Sequence, residues 1–99
     1  MKEEIVKLAK EKGFLLDINH ITCFSSNYVI DIYYLWLCEL QKWLRDERSI
    51  NMDIEFDNYQ GIDEYFCTVR NPISSYSGLH YSYEDALEKG CFEALKLVK

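Results

Sequence analysis

The chain has 99 residues, 48% hydrophobic and 15% aromatic, and its 17 acidic against 11 basic side chains leave a net charge of -6. That length suits one domain over residues 1–99, with a core large enough to fold alone and a modest stability margin that a homodimer would raise. The acidic balance disfavours direct nucleic-acid binding, which draws on clustered Lys and Arg, and no stretch reaches the ~20 apolar residues of a membrane span.

The opening "MKEEIVKLAKEKGF" mixes charges with isolated apolar residues, so it reads as neither a signal peptide nor an anchor, and the expected location is cytoplasmic. It predicts a short helix from Lys2 to Lys12, with Ile5, Leu8 and Ala9 on a narrow apolar face and Gly13 as its stop. From Phe14 to Ile30 the pattern is ambiguous. "FLLDI" and "ITCF" are β-compatible, Asn19 and His20 separate them, and Ser25 to Asn27 signal a turn, so one or two short strands are expected.

Asp31 is placed to cap a long helix whose last turn carries Arg45 and Arg48, where the helix dipole favours cations. At ~100° per residue, Tyr33, Leu37, Leu40 and Leu44 share a narrow arc that forms the core seam. Trp36 and Trp43 fall on its flank, and Leu35 points nearly opposite. One reading makes the tryptophans wrap the sheet edge while an N-terminal segment covers Leu35. The other makes Trp36, Trp43 and Leu35 an interface, since Trp is a favoured interface anchor.

"INMDIEF" alternates strictly, with Ile50, Met52, Ile54 and Phe56 toward a core and Asn51, Asp53 and Glu55 toward water. "DNYQG" supplies a turn, and "IDEYFCTVR" returns with Tyr65, Cys67 and Val69 on one face and Phe66 and Thr68 on the other, which predicts an antiparallel hairpin. Pro72 and Gly78, like Gly61, mark turns, and a short third strand is expected at Leu79 to Tyr81. Ser82 then caps a last helix, with Asp85 at its third position. There Leu87, Cys91, Ala94, Leu95 and Val98 form an apolar stripe, and Ala86, Gly90 and Ala94 form a ridge of small residues that admits a close backbone. The expected fold is α+β: a short N-terminal helix, an ambiguous β segment, then helix, three-stranded antiparallel sheet and helix, with the helices packed on one face of the sheet.

Chemistry-bearing patterns are few. "DIEFDNYQGIDE" places Asp53, Glu55, Asp57 and Glu64 at the first, third, fifth and twelfth positions of an EF-hand register. Asn58 stands where that loop needs glycine, and the flanks read as strands, so an acidic solvent face that discourages edge pairing is the better reading. Cys23, Cys38, Cys67 and Cys91 are scattered without metal-ligand spacing and read as free thiols. His20 falls in an expected turn and His80 on the outer face of the third strand, and neither has a sequence-local nucleophile to activate. With four glycines and no phosphate-binding loop, no cofactor, metal or catalytic residue is expected.

Three segments carry a resemblance: "LAKEKGF" at Leu8 to Phe14, "LQKWLRDERSINMDIEFDNY" from Leu40, and "YSYEDALEKGCFEALKLVK" from Tyr81. Together, and in this order, they resemble a family of small uncharacterised proteins from gut Bacteroides-type bacteria and their phages, with an LQKWLRE-type helix, a hairpin and a YEEALE-x-GL-x-EALKL helix. The resemblance implies one α+β domain in a bacterial or phage setting and brings no activity. The order helix, three strands, helix also resembles double-stranded-RNA-binding domains. Those place lysines at the start of the last helix, where Tyr83, Glu84, Asp85 and Glu88 stand here.

These features favour a non-enzymatic protein-interaction module whose unidentified protein partner meets the Trp36/Trp43 flank or the sheet edge. The alternative is an acidic nucleic-acid mimic that inhibits a host protein through Asp53, Glu55, Asp57, Asp63 and Glu64. A small Cys/His-dependent enzyme is a third class, and it requires a thiol of depressed pKa.

Overall fold

The computed structural model describes residues 1–18, 32–71 and 74–99. The expectations for "ITCF", the turn at Ser25 to Asn27, His20, Cys23, the Asp31 cap and Pro72 lie outside those residues. The elements are α1 (Lys2–Glu11), α2 (Ile32–Arg48), β1 (Asn51–Tyr59), β2 (Ile62–Arg70), β3 (Ser74–His80) and α3 (Tyr83–Leu95). The sheet is antiparallel in the order β1-β2-β3. This is the expected α+β arrangement.

Gly13 ends α1 for a stereochemical reason. It adopts φ 106, its N–H donates to the Lys10 carbonyl at 3.2 Å, and the Phe14 N–H donates to the Ala9 carbonyl at 2.9 Å. That pair of bonds is a Schellman cap, and it turns Phe14 into the core beside buried Ala9. The expected strand at "FLLDI" is therefore corrected: Phe14 to Asp17 is irregular. The Phe14 ring lies 5.5 Å from that of Trp36 and 5.4 Å from that of Trp43, so contacts with α2, not strand pairing, fix this segment.

At the far end of α2, Ser49 takes φ 57 and the Ile50 N–H donates back to the Leu44 carbonyl at 3.0 Å, which starts β1 with Ile50 buried. The expected turn at "DNYQG" is present and narrower than its segment. Strand pairing runs to Tyr59↔Ile62, and the turn is only Gln60 and Gly61, at φ 52 and 83. Positive φ at both positions is the two-residue geometry that matches the strand twist.

β3 is longer than expected and includes Gly78, which pairs with Cys67 instead of marking a turn. A side chain there would place its Cβ 2.8 Å from Tyr76 Cζ, because the Tyr76 ring lies across the glycine toward His80. The register sets Tyr76, Gly78 and His80 opposite Val69, Cys67 and Tyr65. His80 thus lies on the helix-facing side, half-buried, which corrects its expected outer placement, and Tyr76 Oη and His80 Nε2 are 3.1 Å apart.

The helices cover one face only. α3 crosses all three strands, α2 packs beside it over β1, and α1 packs on α3. Ser82 Oγ accepts from the Asp85 N–H at 3.1 Å, as the capping pattern requires. The small ridge does what its spacing implies: Ala86, Gly90 and Ala94 are buried, and a Cβ on Gly90 would fall 2.5 Å from Cys67 Sγ and 2.7 Å from Met52 Sδ. Phe56, expected in the core, is 58% exposed with its ring 5.1 Å from that of Tyr65. Phe56 lies toward the hairpin tip, where Asn58, Tyr59, Ile62 and Asp63 are exposed as well.

Candidate functional site

The strand period of two divides the sheet into a helix-facing side and an open side. Cys67 and Val69 are fully buried on the first. On the second, the register brings residues together in rows: Tyr59 with Ile62, Asp57 with Glu64, Glu55 with Phe66 and Leu79, and Asp53 with Thr68 and Ser77. No described element lies on this side. Phe66 and Leu79 are 39% and 42% exposed and directly paired, and Tyr59 and Ile62 at the tip are exposed further.

Carboxylates border this apolar pair. Asp53, Glu55 and Asp57 run along β1, and Glu64 faces Asp57 across the strands, a like-charge pair that the fold tolerates at its wet end. Asp53 is ion-paired with Arg70. Asp63 does not join them: alternation puts it with Asn58 on the other side, where Asn58 Nδ2 donates to Asp63 Oδ1 at 2.7 Å. Residues two apart on a strand sit about 7 Å apart, so Asp53, Glu55 and Asp57 cannot converge on one calcium ion. Among the described residues no group of three or more His, Cys, Asp or Glu side chains is placed to hold a metal.

The aromatic flank of α2 turns out differently from an exposed interface. Trp36 is 1% exposed, and its Nε1–H donates to the Leu16 carbonyl at 2.9 Å. It is a core residue, because the irregular segment after α1 folds over the side of α2 that helical periodicity leaves bare. Trp43 is half-buried between the Phe14 ring and the Arg48 guanidinium, which lies 5.1 Å from its ring centre, and Leu35 is half-buried.

The acidity of the described thiols does not favour nucleophilic catalysis. Cys38, Cys67 and Cys91 are free, and burial pushes the Cys67 thiol up to about 11 and that of Cys91 well above its ordinary value. Cys38 is raised by burial as well, partly offset by its hydrogen bond with Tyr34. A nucleophilic thiol needs the opposite shift.

Near the start of α3, Glu84, Asp85 and Glu88 line a hollow of about 210 Å³ with Tyr33, Tyr34 and Leu37, and Tyr33 Oη donates to Glu88 at 2.6 Å. Carboxylates thus stand at the start of α3, where double-stranded-RNA-binding domains, resembled only in element order, place lysines. No protein-family model, curated protein or solved structure matches the chain. Among the described residues, no helix is long and apolar enough to cross a membrane.

Phe66 and Leu79 are the site residues that sequence reasoning missed. Phe66 on the wet side of an alternating strand is a signal in itself. Leu79 is invisible without the β2–β3 register, which comes from a strand longer than its composition suggests.

Proposed function

We propose that this is a non-enzymatic protein-interaction module that engages a protein partner through the open face of its sheet. The carrying observation is the uncovered pair Phe66 and Leu79, side by side and bordered by Asp53, Glu55, Asp57 and Glu64. Apolar contact there supplies affinity, and the carboxylate border selects a basic counterpart and steers its approach. The bacterial or phage setting implied by the sequence resemblance names the cytoplasm of a gut Bacteroides-type host as the place to look for it.

The test compares the native chain with a Phe66→Ser, Leu79→Ser double variant as baits at low and high salt. Loss of a partner by a variant that unfolds at nearly the native midpoint supports the reading, and equal retention refutes it. A second reading, an acidic mimic of nucleic acid, draws on the line of Asp53, Glu55 and Asp57 along one strand. It predicts a nucleic-acid-binding partner that is released by salt and competed off by duplex DNA, with little loss in the double variant.

A further inference from the structure

We propose that the edge of β1 that no described strand pairs takes up an extended segment of the partner as a fourth strand, and that this segment alternates cationic with apolar side chains. The inference rests on the reading of the sheet as the binding surface and adds the partner's chemistry and mode of attachment.

Backbone phase is the first argument. In a two-residue hairpin the residues flanking the turn exchange both hydrogen bonds, so Tyr59 and Ile62 form such a pair, and the phase repeats at Asp57–Glu64, Glu55–Phe66 and Asp53–Thr68. The N–H and C=O groups of Ile54, Phe56 and Asn58 therefore point away from β2. Met52 shares their phase, and its carbonyl accepts from Gln41 Nε2 at 3.4 Å, a partner that reaches it from α2 and not from the sheet. Among the described residues, no strand lies on that side of β1.

Side-chain complementarity is the second. A strand laid along this edge sets alternate residues beside the row of Asp53, Glu55 and Asp57 on the open face, and the others beside Ile54 and the exposed Phe56 on the helix side. Lysine or arginine suits the first row and aliphatic side chains the second. A second copy of the chain fits poorly when the strands pair at their centres. Antiparallel self-pairing centred on Glu55 would set Glu55 against Glu55 and Asp53 against Asp57, and like charges directly opposite are destabilising.

The experiment uses the full chain, isotopically labelled, with a synthetic peptide of the length of β1 that alternates lysine and valine. A second peptide of the same sequence is N-methylated throughout, which keeps the charge and removes the strand donors. The proposal expects the first peptide to slow amide exchange at Ile54, Phe56 and Asn58 and the second to bind at least about tenfold more weakly. A Glu55→Lys, Asp57→Lys variant should lose about tenfold in affinity for the first peptide. Equal affinity for the two peptides, or no binding of the first, overturns the proposal. Perturbation confined to Phe66 and Leu79 overturns strand addition while leaving the open-face reading intact. Edge protection that survives the Phe66→Ser, Leu79→Ser change at full affinity upholds strand addition and removes the open face as the contact.

Discussion

The indole N–H of Trp36 donates to the Leu16 carbonyl at 2.9 Å, so one hydrogen bond pins the irregular segment after α1 to the long helix. The same ring packs against Phe14, whose position is set by the cap at Gly13. Replacing Trp36 with alanine should cost ~3–5 kcal/mol, the range for removing a buried aromatic side chain. Trp36→Phe should cost less, about 1–3 kcal/mol, through the smaller ring and the lost hydrogen bond together. Denaturant unfolding measures both, and a loss under ~0.5 kcal/mol for alanine contradicts the core placement.

Gly90 sits where α3 lies directly against Cys67 and Met52 of the sheet. Gly90→Ala gains up to ~1 kcal/mol of helix propensity but sets a Cβ against Cys67 and Met52. Met52 can shift, whereas Cys67 is held in the middle strand, so the expected net is a loss of ~1 kcal/mol or more. Gly90→Val should lose more, and a stabilised alanine variant would show that the helix and sheet are further apart.

The turn makes an opposite prediction. Gln60 holds φ 52, a conformation costly for most side chains and tolerated by asparagine. Gln60→Asn should raise stability by ~0.5–1 kcal/mol, read as a higher unfolding midpoint with an unchanged denaturant slope. No gain would argue against the two-residue turn.

Alkaline pH should unfold the protein earlier than its surface charge suggests. Burial raises Cys67 from 9.0 to about 11 and Tyr34 from 10.0 to about 12, where nearby Cys38 and Tyr83 add to the effect, and it raises Cys91 in the same sense. Folded-state values above the unfolded ones mean that stability is intact below pH ~9, where both states hold these protons. Between pH 9 and 11 the unfolded chain releases the Cys67 proton while the folded chain keeps it, so stability falls at up to ~1.4 kcal/mol per pH unit for each such group. The unfolding midpoint measured from pH 8 upward should drop, and Cys67→Ala should flatten the decline. Cys67 and Cys91 should alkylate only after unfolding.

Much of this fold is legible in the sequence because local rules and burial agree. The Ile50 to Ile54 alternation, the Ser82 cap and the Ala86, Gly90, Ala94 ridge each state a structural demand that the structure meets. Where they diverge, a distant contact decides. Trp36 looks like a flank residue on an isolated helix and becomes core because Phe14 folds over it. Gly78 looks like a turn residue but pairs with Cys67 in a strand, and it is glycine because the Tyr76 ring fills the space of a side chain. Phe56 carries the core pattern and is exposed because it stands near the hairpin tip, where the residues of both strands are exposed. The open face was half visible, in Phe66, and Leu79 became its neighbour only through register.

The most direct measurement places a photo-crosslinking side chain at position 66 and, as a control, at exposed position 42 on α2, in lysate of the host proposed above. The account predicts one discrete crosslinked protein from position 66 and none from position 42. Crosslinking from position 42 alone would put the binding surface on the helical layer and contradict it.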